Sequence, residues 1–388
     1  VLVPGLREVA DQALRDHVIQ SLRDRGLDES HLGAVETVTL SDWQGMTKNA
    51  EGEAEVTDLS ATRIVLHPDW AKGPAWPVVQ PAAPIKITPN KPRPQRTDGW
   101  KTAVILPDPQ IGYRRKADET MESFHDERAI DVALQVLAAA RKAHTVDRVV
   151  NLGDFLDLPS QGKYAQEPGF ALTTQAAIDY GHQFLARQRA ICPEAQISII
   201  EGNHDARLGK YVAANAMAAF GLRKAGDPPE TWPVLSLPSL LRLDDLSIEW
   251  VEGYPAGGIW LNDHIQCIHG QKVRSSGSTA SAVINDSRHS IIFGHVHRIE
   301  VQHKTDKVKD GGYRKFAATP GCLCKTGGAV PSFHSSIDRT GGSIQNAENW
   351  QQGLLLCHFR ENDHRYSLEM VEIHDGVAIW RGQEYRSE

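Results

Sequence analysis

Five short polar motifs, each directly after a run of β-branched or apolar residues, constrain this 388-residue chain more than any other feature. Asp108-Pro109-Gln110 follows TAVIL at 102–106, Gly153-Asp154-Phe155-Leu156-Asp157 follows RVVNL at 148–152, and Gly202-Asn203-His204-Asp205 follows ISIIE at 197–201. His269-Gly270 follows HIQCI at 264–268, and Gly294-His295-Val296-His297 follows SIIF at 290–293. Such runs predict buried strands, and glycine with polar residues just beyond them predicts the turn at each strand's C-terminal end. Open α/β folds place their sites at that end, so the motif loops are expected along one edge of a sheet.

A chain of this length suffices for one large domain with appendages. Hydrophobic content of 40% and charged content of 23% fit a soluble globular protein. No stretch reaches the apolar length of a membrane span. The first residues, VLVPGLREVADQ, lack a basic start followed by an apolar block, so no signal peptide is expected. Cys192, Cys267, Cys322, Cys324 and Cys357 show no CxxC spacing and no disulfide framework. They are expected as small core residues in a cytoplasmic protein. A formal net charge of −7 gives no general reason to bind nucleic acid or a membrane surface.

Residues 5–25 place Leu6, Val9, Leu14, Val18 and Leu22 near helical spacing, which predicts an amphipathic helix. Strand-like pieces at 35–40 and 62–66 are separated by the polar segment KNAEGEAE. The stretch 74–96 carries prolines at 74, 77, 81, 84, 89, 92 and 94, which exclude helix and favour an extended connector. The reading is therefore an accessory module at 1–75, a Pro-rich linker at 76–98 and a main domain at 99–388. Helices are expected at 124–143, 171–190, 207–224 and 236–243, and further strands at 247–251 and 258–261. After the last motif come strands at 298–303, 313–318, 353–359, 365–373 and 377–380, expected to complete a second sheet, with a long Gly/Ser/Asn-rich loop at 326–350.

The five motifs together resemble those of the calcineurin-like metallophosphoesterases over roughly residues 101 to 325. The resemblance implies an α/β fold, a four-layer αββα sandwich of two packed mixed sheets flanked by helices. It also implies two divalent metal ions, manganese foremost, with magnesium, zinc or iron as alternatives. Carried over by motif, Asp154 bridges the pair, Asp108, Gln110 and His297 complete one site, and Asn203, His269 and His295 complete the other. Two cations about 3.5–4 Å apart neutralise a phosphate ester and generate the nucleophile. The family mechanism is in-line attack by metal-bound hydroxide, with His204 as general acid and Asp157 holding its tautomer. Asn203 and Arg207 are the candidate phosphate contacts, although Arg207 also suits a surface ion pair, and Asp205 suits a structural role in its turn. Most family members have His where this chain has Gln110, and an amide oxygen is a harder, weaker donor that shifts preference from zinc towards manganese or magnesium. The run DPQIGYRR…FHDERAIDVAL also resembles metallophosphoesterases encoded by bacteriophages. In that run, His125 and Asp126 suit either the mouth of the site or, for Asp126, a helix cap.

Basic residues cluster after the motifs: Arg114, Arg115 and Lys116; Arg207 and Lys210; Lys272 and Arg274; and Arg298. A ring of such cations would draw an extended anion, and Tyr113, Tyr164 and Trp260 could stack a base. The expected activity is hydrolysis of phosphodiester bonds in nucleic acid (DNA) or nucleotides. The alternatives are a small-nucleotide diphosphatase or cyclic nucleotide phosphodiesterase, and, from another class, a non-catalytic scaffold like the retromer subunit of this fold. Asp-x-Gln resembles the variant in manganese-dependent nucleoside-diphosphate-linked hydrolases of the superfamily. Protein phosphatases of the superfamily carry Gly-Asp-x-Val-Asp-Arg-Gly, whereas Leu158-Pro159 follows Asp157 here. With His204, Asp154, His269, His295 and His297 in place, and Gln110 the sole weakness, an enzyme is favoured over a scaffold.

Overall fold

Alternate residues of the apolar runs face opposite ways, and in this chain both faces are buried. In the computed structural model, Val104 and Leu106 lie in one hydrophobic cluster while Ala103 and Ile105 lie in another. The same split separates Val149 from Val150, and Leu354 and Leu356 from Leu355 and Cys357. A strand covered on both faces must be apolar throughout, which is why these runs do not alternate with polar residues.

The structure describes strand backbone at 35–48 and 54–66, positions 16, 19, 20 and 23, and residues 99–387 except 117–119, 163–165, 167, 275–276, 309–310, 328–329 and 331–347. Most of the expected helix at 5–25, the Pro-rich linker, most of the loop at 326–350 and Tyr164 lie outside the described residues. Residues 1–77 and 78–388 form two separate compact units. In the first, β1 (Val35–Lys48) pairs antiparallel with β2 (Ala54–Leu66), in one register from Thr37↔Val65 to Lys48↔Ala54, with a shift between Val35 and Thr37. These strands run on into the polar segment expected to divide them, because ladder hydrogen bonds are made by backbone whatever the side chains.

The second unit contains an eight-stranded and a five-stranded mixed sheet. Its elements begin with β3 (Lys101–Leu106), the small hairpin β4 (Tyr113–Arg115) and β5 (Met121–Ser123), α1 (Glu127–Ala143), β6 (Arg148–Asn151), α2 (Thr174–Ile191) and β7 (Gln196–Ile200). They continue with α3 (Ala206–Asn215), α4 (Leu237–Leu240), β8 (Ile248–Val251), β9 (Gly258–Asn262), β10 (Ile265–Ile268), α5 (Thr279–Asp286) and β11 (Ser290–Phe293). The last strands are β12 (Ile299–Val308), β13 (Gly311–Pro320), β14 (Gln352–Arg360), β15 (Asp363–His374), β16 (Val377–Trp380) and β17 (Gln383–Arg386). Two expected helices are shorter than their sequence suggests. The segment 207–224 is helical only to Asn215 before a 3-10 turn at Met217–Ala219, and 236–243 yields only α4.

The eight-stranded sheet has the order β17-β16-β15-β14-β3-β6-β7-β8, with β3, β6, β7 and β8 parallel. The five-stranded sheet has the order β12-β13-β11-β10-β9, with β10, β11 and β13 parallel. The segment 298–388 was expected to complete the second sheet, and only β12 and β13 do so. Strands β14 to β17 extend the other sheet, because β14 supplies ladder partners to the edge of β3 that β6 leaves open. One cluster, including Ile105, Val150, Cys267, Ile292 and Phe359, joins residues of both sheets. A second joins the outer face of the eight-stranded sheet to α1, α2 and α3, and a third joins Ile291 and Phe293 to Ala280 and Ile284 of α5.

Helix α1 shows how these layers are fastened. Asp126 accepts hydrogen bonds from the N–H groups of Arg128 and Ala129, at 3.0 and 3.3 Å, and so caps the helix. Ile130, Val132, Leu134, Val136 and Leu137 are buried, while Arg141 and Lys142 sit where the helix dipole favours cations. Capping explains Asp126 without recourse to the site.

Candidate active site

All five motifs follow C-terminal ends of parallel strands, but these strands belong to two sheets rather than one. Strands β3, β6 and β7 deliver Asp108 and Gln110, Asp154 and Asp157, and Asn203 to Asp205; β10 and β11 deliver His269, His295 and His297. The expectation of a single sheet edge is therefore corrected to the junction of two packed edges. Tight turns at that junction bend the chain sharply. Asp108, Gln110, Asp154, His295 and His297 all have positive φ, at 25°, 44°, 44°, 71° and 55°. Non-glycine residues pay about 1 kcal/mol or more for that conformation, which persists only where surroundings over-determine it.

The turns bring the seven candidate ligands together in two groups that share one carboxylate. Ligating atoms of Asp108, Asp154 and His297 all lie within 4.8 Å of one another, and so do those of Asp154, His269 and His295. Gln110 joins the first group, its Nε2 standing 3.3 Å from His297 Nε2. Asn203 joins the second, its Oδ1 3.0 Å from His269 Nε2. Asp108, Gln110, Asp154, His269 and His297 are buried, whereas Asn203 and His295 are half-buried. Backbone groups lock the carboxylates: His295 N donates to Asp108 Oδ2 at 2.5 Å, and His204 N donates to Asp154 Oδ1 at 2.8 Å.

These residues fit a pair of divalent cations. Asp108 Oδ1 and Gln110 Oε1 are buried acceptors with no hydrogen-bond partner, an arrangement that costs free energy unless something electropositive faces them. The donor set of carboxylate, amide and imidazole suits manganese, iron or zinc. Imidazole tautomers also fit. His269 Nδ1 lies 2.9 Å from the Leu152 carbonyl, which can only accept, so Nδ1 carries a proton and Nε2 is the nitrogen left to present a lone pair to a bound cation.

Electrostatics tie the histidines to Asp154. Burial alone would raise the Asp154 carboxyl, but neighbouring His204, His269 and His295 hold it well below the usual range. Burial would lower His269, and Asp154 beside it overrides that and lifts it to about 9. His295, desolvated and next to His269, falls to about 4.

His204 is buried with Nδ1 2.6 Å from Asp157 Oδ1, a short off-axis contact, and Nε2 3.8 Å from Asp154 Oδ2. Asp157 thus faces one ring nitrogen while the other points towards the ligand groups. Arg207 Nη1 lies 3.0 Å from Asp157 Oδ1 and donates to the Asp157 carbonyl, so it braces this carboxylate from the start of α3. Asp205 ties two motif loops together: its oxygens accept from the N–H groups of Phe155, Leu156 and Gly202 at 3.1, 3.0 and 2.9 Å. Burial, and then Asp154, push its carboxyl up to about 7.

Part of the expected ring of cations is engaged elsewhere. Arg298 is buried and donates to the Arg274 carbonyl, and Lys272 pairs with Asp286. Tyr113 is buried edge-on to His125, and Trp260 stands exposed on β9. Three other side chains adjoin the ligands without a sequence motif to announce them. Cys324 Sγ is 3.7 Å from His297 Nδ1, Trp350 packs edge-on against His297 at 4.1 Å, and Tyr254 packs edge-on against His269 at 5.7 Å. All five cysteines are buried and free, as small core residues should be.

No family model and no curated protein matches the chain. Among solved structures it is similar to Vps29 of Chaetomium thermophilum, at 11% identity and a TM-score of 0.29, over 71% of this chain and 86% of that one. It is also similar to the NAD nucleotidase NadN of Haemophilus influenzae, at 11% identity and a TM-score of 0.25, over 70% of this chain and 49% of that one. Likeness this loose leaves the chemistry to be read from the chain's own atoms. Among the described residues, no helix is long and apolar enough to cross a membrane.

In a further trio, His144, His358 and Glu369, the last two are already engaged by other partners. Glu369 already accepts from Arg381 Nη2 at 2.6 Å and Trp380 Nε1 at 2.7 Å, and His358 Nδ1 meets Thr102 Oγ1 at 2.9 Å.

Proposed function

We propose that this chain is a dinuclear-metal-dependent phosphodiesterase of the calcineurin-like type, acting on nucleic acid or nucleotides. The single observation that carries the reading is the pair of ligand groups sharing Asp154, backed by buried acceptors without partners. The two packed sheets, with helices against both outer faces, are consistent with a four-layer αββα sandwich. Asp108, Gln110, Asp154 and His297 would hold one cation, and Asp154, Asn203, His269 and His295 the other, with manganese preferred. When bound, such a pair neutralises phosphoryl oxygens and acidifies a water.

The chain's own groups supply the rest. His204 holds a proton at Nε2, the ring nitrogen nearer Asp154, and gives it to the departing oxygen. Asp157 keeps the other nitrogen protonated and the ring in place, and Arg207 keeps Asp157 from turning away. Asn203, half-buried, would meet a phosphate oxygen as well as the second cation.

The test is manganese-supported hydrolysis of bis-p-nitrophenyl phosphate and of single- and double-stranded DNA, with His204→Ala alongside. Turnover of both that falls by about 10²–10⁴ in the variant, with manganese binding kept, supports the reading. Turnover of the small diester with intact DNA moves the substrate to small nucleotides. No turnover with any divalent metal sinks the enzyme and leaves a scaffold.

A further inference from the structure

The end of the sheets opposite the motif loops carries a basic cleft of about 620 Å³, lined by His303, Lys304 and Arg314 of the β12–β13 ribbon and His364, Arg365 and Tyr366 of β15. Its position follows from the register. Phe359 pairs with Lys101 at the start of β3, so the β14–β15 turn lies at the end of β3 remote from Asp108. Ala317 pairs with Ile291, and Arg314 stands three residues earlier, below the start of β11. From Arg314 to the level of Phe293 is therefore roughly 17 Å, five residues at about 3.3 Å each.

Charge and flat rings combine there. Lys304 lies 3.6 Å from Asp306, which also holds Lys315 at 2.7 Å, and Arg365 lies 2.5 Å from Asp363. Arg314 is exposed and has no carboxylate at ion-pair distance among the described residues. Four cations thus meet two carboxylates, in a chain whose formal net charge is −7. The His303 ring lies parallel to that of Tyr366, within 2° and with centroids 6.1 Å apart, its Nδ1 3.0 Å from the Tyr366 hydroxyl. The His364 ring is exposed beside Tyr313.

We propose that this cleft binds single-stranded nucleic acid, with Arg314, Arg365 and Lys304 on successive phosphates and the His and Tyr rings offering faces to unstacked bases. Cations alone would suit any polyanion; the rings among them favour a strand whose bases are free to stack. A single phosphate fits less well, because the cations come from three strands around a space far larger than one ion. As a tether for a polymer cut at the metal ligands, the cleft rests on the phosphodiesterase reading; as a binding site, it is tested without turnover.

The experiment is fluorescence anisotropy of a fluorescein-labelled oligo-dT of about 20 nucleotides with the full chain in EDTA, across a salt series. Arg314→Ala/Arg365→Ala is expected to weaken binding about tenfold, and to flatten the log-affinity against log-salt slope by about 1.4, or about 0.7 for each phosphate that is no longer neutralised. Arg314→Lys/Arg365→Lys, which keeps the charge, is expected to retain most of that slope. Manganese-supported turnover of bis-p-nitrophenyl phosphate should be the same in the double-alanine variant as in the wild type. Absence of oligo-dT binding by the wild type, or unchanged affinity and slope in the double-alanine variant, overturns the proposal. Displacement of the oligonucleotide by poly-glutamate as readily as by unlabelled oligo-dT also overturns it, in favour of an acidic protein partner. Arginine-dependent binding without any small-diester turnover would leave the cleft standing and remove the phosphodiesterase reading.

Discussion

Replacing Gly202 with alanine isolates the steric demand at the heart of the ligand cluster. A Cβ at Gly202 would lie 2.9 Å from Asp154 Cα, against 3.4 Å at the near edge of ordinary contact, and closer still to the Asp154 N and Oδ1 atoms. These are backbone and ligand atoms, not the end of a flexible side chain, so the Asp154 turn itself must shift. That turn is held by His204 N on Asp154 Oδ1 at 2.8 Å and by Gln110 N on the Asp154 carbonyl at 2.9 Å. Two hydrogen bonds at about 1 kcal/mol each, plus about 1–3 kcal/mol of overpacking, give an expected loss of about 3–5 kcal/mol. The control is Gly209→Ala in the middle of α3, where an added Cβ meets nothing within 4 Å. There, alanine should stabilise by up to about 1 kcal/mol through the helix preference alone. Urea unfolding in EDTA reads both, and manganese titration of folded protein should show Gly202→Ala binding at least about tenfold more weakly. If Gly202→Ala unfolds within about 1 kcal/mol of wild type and binds manganese normally, the close packing of the two motif loops is wrong.

Gln110→His should raise affinity at the first ligand group and shift its preference from manganese towards zinc, by about tenfold in a competition titration; equal zinc affinity in both proteins would count against Gln110 as a ligand. Asp126→Ala removes the cap of α1 and the acceptor of Gln352 Nε2, so stability should fall by about 1–2 kcal/mol with small-diester turnover unaltered. Burial would raise Glu369, yet Arg381, Trp380 and His358 hold its carboxyl at about 2, below its ordinary 4.5. A carboxyl depressed on folding stabilises above its unfolded pKa and loses that contribution as pH falls through the folded one. Glu369→Gln should therefore cost about 1 kcal/mol or less at pH 7, after solvent screening, and the gap from wild type should close between about pH 4.5 and 2. A gap independent of pH across that window would refute the assignment.

Much of the site was legible in the sequence because its signals are local. A β-branched run followed by Gly, Asp, Asn or His specifies a strand and its turn within about ten residues, and that chemistry placed Asp108, Asp154, Asn203, His269, His295 and His297 at strand ends. Helix α1 was legible for the same reason, its cap and its buried stripe lying within one segment. The helices expected at 207–224 and 236–243 are cut short, ending at Asn215 and Leu240, although their apolar residues fit helical spacing.

What the sequence by itself determined was thus the strands, the turns and the identity of the candidate ligating side chains. Tertiary structure alone decided that the turns come from two sheets, because pairing partners such as β3 and β14 are some 250 residues apart and are chosen by which faces can be buried together. It decided the His269 tautomer through the Leu152 carbonyl, and the placing of Cys324, Trp350 and Tyr254 beside the ligands. It also turned Arg298 inward and Arg207 onto Asp157, while gathering Lys304, Arg314 and Arg365 at the far end of the sheets. Charge along a chain is a property of residues, but the field that a ligand meets depends on which cations the fold leaves unpaired.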